Sequence, residues 1–142
     1  MTMSTVSSNH PHPMPWTEDP NVTAQPENRP FWQAAEEGRL LGKACKSCGR
    51  FHWTPRIVCP FCRSTDTHWL PLSGRGEVDA CSTLRRADPP YTVAYVQLAE
   101  GPTMLTNLVD MAEAEMRIGA PVQVVFRRTD EGRMAPKFTA VR

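Results

Sequence analysis

Two Cys-x-x-Cys pairs constrain this chain more than any other feature. "CKSC" at 45–48 and "CPFC" at 59–62 flank the link "GRFHWTPRIV" and use all but one of the 5 cysteines present. Each pair sets two thiolates on one tight turn. Two such turns offer four sulfurs to one ion, the tetrahedral arrangement zinc favours when no position is kept open for chemistry. Cys45, Cys48, Cys59 and Cys62 are therefore the expected metal ligands. Gly49 can take the left-handed conformation that turns backbone N–H groups toward sulfur, and Pro60 stiffens the second turn. Iron in a rubredoxin-like site would use the same sulfurs, so the spacing leaves zinc and iron both open. His52 and His68 are alternative ligands, for which four cysteines leave no vacancy. The link is too short for a Cys2His2 finger helix and long enough for a returning β-ribbon, which makes the module a zinc ribbon. With almost no core of its own, such a module draws roughly 10 kcal/mol or more of its folding free energy from the metal. Neither pair follows a strand and opens a helix in a βαβ setting, which argues against thioredoxin-like redox chemistry.

The rest of the chain divides around this module. Residues 1–29 are rich in proline, low in aliphatic side chains and free of Lys or Arg before Arg29, so they predict a disordered tail. Within it, Met14, Pro15 and Trp16 form a candidate docking peptide. Residues 30–70 hold a helix and the ribbon. Pro30 suits a first helical position, Phe31, Ala34 and Ala35 share a face, and Gly38 can end the helix. A helix of about two turns is too short to stand alone, so Phe31 and Trp32 must pack on the ribbon or on a partner. Residues 71–142 read as five short strands, "GEVDACSTLRR", "YTVAYVQLAEG", "TMLTNLVD", "VQVVFRRTDEG" and "MAPKFTAVR", with one brief helical turn after the third. That pattern predicts a five-stranded OB-fold barrel, with a small open sandwich as the other arrangement. The fold class is thus mostly β: an N-terminal helix, a rubredoxin-like zinc ribbon and an OB-fold domain. In the first barrel strand Val78, Ala80, Ser82 and Leu84 should share one side.

No catalytic constellation emerges. His10 and His12 fall in the tail, and no Gly-x-Ser-x-Gly or phosphate-cradling glycine loop is present. Cys81 reads as a half-buried structural thiol within a strand, and Asp110, Glu113 and Glu115 as a solvated face. A closed four-sulfur site offers no activated water and no Lewis acid to a substrate. Net charge is +1, which gives no global field for nucleic acid or an anionic membrane. Residues 31–70 carry Arg39, Lys43, Lys46, Arg50, Arg56 and Arg63 against Glu36, Glu37 and Asp66. That excess either offsets the charge of a tetrathiolate site or seats a phosphorylated ligand. The absence of a long apolar run and of a basic, apolar leader predicts a cytoplasmic protein with no membrane association.

Taken together, "PFWQAAEEGRLLGKACKSCG", "PRIVCPFC", "PLSGRGEV", "YTVAYVQLAEGPTMLTNLVD", "RIGAPVQVVFRR" and "PKF" resemble the domain-of-unknown-function-35 family, from about Pro30 to the C-terminus. The resemblance implies an accessory subunit without catalytic residues of its own. Its partners would be thiolase-fold enzymes: thiolases, ketosynthase-like enzymes or steroid side-chain aldolases. A MaoC-type enoyl-CoA hydratase is a further partner, and acyl-CoA sits at the shared site. It also implies that Cys45, Cys48, Cys59 and Cys62 hold structural zinc. The Pro-rich tail lies outside the family pattern.

On that reading Phe31, Trp32, Phe51, Trp53, Arg85, Arg86, Asp88 and Tyr91 are the expected contacts to the partner or the acyl-CoA, because aromatic and Arg residues in loops anchor interfaces. The alternative is a zinc-ribbon and OB-fold module that binds nucleic acid. A neutral barrel and the short supply of stacking aromatics weigh against it.

Overall fold

The computed structural model describes residues 15–142. Its first elements correct the expectation of a disordered tail reaching residue 29. A 3-10 turn at Trp16–Glu18 leads into a short helix α1 (Pro20–Thr23), a second 3-10 turn at Pro26–Asn28, and helix α2 (Arg29–Glu36). Composition misled because a few specific contacts, rather than a broad apolar face, hold the segment. Asp19 caps α1 by accepting from the Asn21 N–H at 2.7 Å, and Val22 is 2% exposed. Met14 of the suggested docking peptide lies outside the described residues, while Trp16 has the Arg29 guanidinium 5.2 Å from its ring centre. Helix α2 buries Phe31, Ala34 and Ala35, and Gly38 follows at φ +77°, as the sequence suggests.

The ribbon is a three-stranded antiparallel sheet in the order β2-β1-β3: β1 (Leu41–Cys45), β2 (Phe51–His52) and β3 (Thr67–Pro71). Only two residues of the inter-cysteine link pair with β1, Lys43 facing His52 and Ala44 facing Phe51. Most of the pairing comes instead from β3, which aligns along all of β1. A Cβ at Gly42 would meet the Leu72 side chain at 2.8 Å, so a larger residue there would push Leu72 aside where β1 approaches the barrel entrance.

Strands β4 (Arg75–Leu84), β5 (Tyr91–Leu98), β6 (Thr103–Leu108), β7 (Pro121–Arg128) and β8 (Met134–Ala140) close into a barrel in the order β4-β5-β6-β8-β7. These are the five strands expected, and a 3-10 turn at Glu113–Glu115 follows the third. In β4 the alternation breaks partway along the strand. A bulge between Val78 and Ala80 shifts the phase of β4. Val78 stays buried, while Ala80, Ser82 and Leu84 face solvent and Cys81 turns partly inward, its S–H lying 3.5 Å from the Met116 carbonyl.

Ribbon, helix and barrel share one core. Phe31, Leu40 and Leu72 pack in the same cluster as Val78, Val96, Met104, Val122 and Phe138, with Trp32, Phe51, Trp53, Val124 and Phe126 partly buried against it. Helix α2 is also tied to the β7–β8 hairpin through Glu36, whose carboxylate accepts from Arg128 at 2.7 Å and from the Met134 N–H at 3.2 Å. Among the described residues no helix is long and apolar enough to cross a membrane.

Candidate functional site

Both knuckles are built alike. After each cysteine pair the chain reverses through a left-handed residue, Gly49 at φ +77° and Arg63 at φ +66°. The N–H of each closes the turn onto the first cysteine's carbonyl, Gly49 onto Cys45 at 2.8 Å and Arg63 onto Cys59 at 2.9 Å. These turns bring the sulfurs of Cys45, Cys48, Cys59 and Cys62 within 4.8 Å of one another, the first and third buried and the other two exposed.

The spacing fits a tetrathiolate metal site. Across the site Cys45 and Cys62 stand 3.5 Å apart, and Cys48 and Cys59 stand 3.7 Å apart. A tetrahedron with metal–sulfur bonds of about 2.3 Å has edges of about 3.8 Å, whereas a disulfide would need about 2.05 Å. The protonation pattern agrees. Hydrogen bonding from the Cys48 backbone, aided by Cys62 and Ser47, brings the Cys45 thiol down to about 6. Burial raises Cys59, but the Cys62 and Phe61 backbone N–H groups outweigh it and lower the thiol overall. The Ser64 N–H lowers Cys62, yet the three neighbouring sulfurs and burial drive it up to about 12. Four thiolates this close repel one another, and a divalent cation between them removes the conflict. The two histidines stand outside the set: His52 is buried in β2 opposite Lys43, and His68 Nδ1 lies 3.1 Å from the Ala44 carbonyl.

A second feature lies where the barrel splays. Strands β6 and β8 meet through a single bridge, Leu108 to Phe138, and diverge beyond it. A cleft of about 370 Å³ opens there, bounded by α2, the turn at Trp53–Pro55 and the two strands. Phe31, Trp32, Trp53 and Met104 supply its apolar walls; Asn21, Gln25, Asn28, Thr106 and Asn107 supply hydrogen-bonding groups; Arg133 and Lys137 supply charge. A neighbouring hollow of about 540 Å³, lined by Tyr91, Leu108, Asp110 and Met116, shares Asn107 and Lys137 with it. Lys137 Nζ donates to Asn107 Oδ1 at 2.7 Å, and burial lowers its pKa, with repulsion from Arg133 adding to the shift.

The expected contact residues therefore fall in several places. Phe31, 4% exposed, is a core residue that lines the cleft beside Trp32 and Trp53. Phe51 lines a hollow with His52, Phe61 and Glu100. Tyr91 borders the second hollow, while Arg85, Arg86 and Asp88 lie exposed in the β4–β5 loop, Arg85 paired with Glu113. Lys137, Asn107 and Arg133 escaped the sequence reading. In sequence they are polar residues of ordinary strands and turns, and nothing local marks a strand pair that diverges.

A four-cysteine ribbon fused to an OB-fold barrel defines a class of two-module β proteins whose parts share one core. Comparison with known proteins narrows the class. The pattern of the ChsH2 rubredoxin-like zinc ribbon domain matches residues 32–68, and that of the ChsH2 C-terminal OB-fold domain matches residues 69–127. A DUF35 domain-containing scaffold protein of Methanocaldococcus jannaschii is 35% identical over 99 residues, covering 65% of this chain and 70% of its own. A probable enoyl-CoA hydratase alpha subunit of Thermomonospora curvata is 32% identical over 76% of this chain, which spans only 36% of that protein. Among solved structures, a chain of the Ltp2-ChsH2(DUF35) aldolase superposes with a TM-score of 0.70 at 30% identity, covering 80% of this chain and 93% of its own. The chain belongs to the DUF35 family.

Proposed function

We propose that this protein is a non-catalytic accessory subunit that binds a thiolase-fold enzyme and helps form its acyl-CoA site. One observation carries the reading: over 80% of its length the chain superposes on a chain of the Ltp2-ChsH2(DUF35) aldolase, covering 93% of that chain. The scaffold name borne by relatives supports the same role. The relative named as an enoyl-CoA hydratase subunit supports a MaoC-type hydratase as a further partner.

Chemically, the metal site holds structure and does no catalysis. Cys45, Cys48, Cys59 and Cys62 would bind zinc with all four positions filled by sulfur, and the ion would supply folding free energy and charge balance there. The chain's own residues do the rest. The knuckle turns present Ile57, Val58 and Phe61, which are 54%, 42% and 49% exposed, as an apolar patch for the enzyme. The cleft beside Phe31, Trp32 and Trp53 takes part of the acyl-CoA, with apolar walls along its arm and polar side chains among its lining. The catalytic side chains belong to the partner.

The test is isolation of the protein from its native cells after nuclease treatment, followed by mass spectrometry of what remains bound. A stoichiometric thiolase-fold protein is the expected result. Recovery of the chain alone, with association seen only when nucleic acid is left intact, would replace this reading with a nucleic-acid-binding one.

A further inference from the structure

We propose that Lys137 is the anion anchor of the cleft, receiving a phosphate-bearing group of the ligand that lies between Trp32, Trp53 and the β6–β8 seam. This rests on the acyl-CoA reading of the cleft and adds to it the residue that recognises the ligand's charged end.

Position comes first. Lys137 lines both the cleft and the neighbouring hollow, on the ridge where the two adjoin, and its Nζ is held there by Asn107, which also lines both. An extended ligand with an apolar or amide-bearing arm in one and a charged group near the ridge would place that group within its reach.

Charge accounting singles out the same residue. Arg133 also lines the cleft, but its guanidinium is already met by Asp19 at 3.2 Å and Glu131 at 3.0 Å. Arg127 is met by Asp110, and Arg128 by Glu36. Lys137 forms no ion pair among the described residues. Its hydrogen-bond partner is the neutral Asn107 amide oxygen, and burial together with Arg133 makes the ammonium costlier to keep. A partly buried cation without a counter-charge, facing a cavity, is completed by an anion that enters the cavity.

A structural role alone would be simpler: Lys137 could merely bridge β8 to Asn107 on β6 across the splayed seam. Such a bridge needs a donor and no charge. Lys137→Gln keeps a donor and removes the charge, and so separates the two roles.

The experiment titrates the full-length, metal-loaded chain with coenzyme A and with pantetheine, which shares the arm and lacks the phosphates. Binding is followed by calorimetry, and thermal unfolding of each variant checks its fold. The expected result is that Lys137→Gln weakens coenzyme A binding by about tenfold or more, leaves pantetheine binding unchanged and flattens the salt dependence, while Lys137→Arg binds nearly as the parent does. Coenzyme A binding that is equal in the parent and Lys137→Gln, yet still weakened by Trp32→Ala, overturns the anchor and leaves the cleft reading standing. If neither probe binds, to the chain or to its isolated assembly, or if both bind regardless of Trp32→Ala, the cleft reading fails and the anchor with it.

Discussion

Asp19 and Arg133 stand 114 residues apart in sequence and meet at the junction of the N-terminal segment with the β7–β8 hairpin, where Asp19 is 0% exposed. One carboxylate oxygen accepts from the Arg133 side chain at 3.2 Å and from its backbone N–H at 3.1 Å. The other takes the Asn21 N–H that caps α1. One buried acid thus fastens the first described turn of the chain to the far end of the barrel and helps shape one wall of the cleft.

Removing that acid should loosen the segment. Asp19→Ala removes the buried acceptor of the Arg133 side chain and backbone N–H, leaves Arg133 only its exposed partner Glu131, uncaps the helix, and should cost about 1–3 kcal/mol in urea unfolding. The loss should depend on pH. Burial raises the Asp19 pKa, but hydrogen bonds from Asn21 and Arg133 outweigh it and hold the group below 3.8. A depressed carboxylate contributes stability that is complete above its unfolded value and fades as pH falls through the folded one. Parent and Asp19→Ala should therefore differ fully at neutral pH and converge below about pH 4. A constant gap down to pH 2 would contradict the ion-pair assignment.

Arg63 occupies in the second knuckle the left-handed position that Gly49 occupies in the first. A side chain in that region costs roughly 1–2 kcal/mol, part of which glycine gives back as extra freedom in the unfolded chain. Arg63→Gly should raise stability by about 0.5–1 kcal/mol in the metal-bound protein. A lower midpoint in chemical denaturation would show that the arginine side chain outweighs its backbone strain.

Metal removal should act on the ribbon first. One zinc ion per chain is expected by elemental analysis. A strong chelator, or Cys45→Ser, should abolish the ordered ribbon at a cost on the order of 10 kcal/mol. Because Phe31, Leu40 and Leu72 join the barrel core, barrel stability should fall as well, which amide exchange in β5 and β6 would report. Full protection of β1 and β3 in a chelated sample would rule out a structural metal.

Phe61 tests the enzyme-facing patch. It is 49% exposed, with the Arg50 guanidinium 3.7 Å from its ring centre. Phe61→Ser should leave thermal stability within about 0.5 kcal/mol of the parent while weakening enzyme binding about tenfold or more. Unchanged binding would move the contact away from the second knuckle.

What the sequence discloses and what it conceals follow the range of the interactions. The metal site is legible because each knuckle is a turn of a few residues, and spacing alone fixes where Cys45, Cys48, Cys59 and Cys62 point. The five barrel strands are legible from alternation and the glycines and prolines between them. The bulge between Val78 and Ala80 is not, since one added residue reverses every later side chain of β4 without altering its composition. Ordering of residues 15–29 is hidden for a different reason: it depends on Asp19 finding Arg133, a pairing that no local window contains. Lys137 is hidden likewise, because its meaning comes from the divergence of β6 and β8 and from the pairing of the other cations nearby.

The role of the protein is tested most directly by turnover of the reconstituted assembly. The thiolase-fold enzyme recovered with this chain would be assayed on its acyl-CoA substrate alone, with increasing amounts of the chain, and against the chain by itself. The expected result is no turnover by the chain, low turnover by the enzyme, and activity that climbs and saturates at a fixed ratio of the two. Turnover by the chain alone, or full activity of the enzyme without it, would contradict the accessory role.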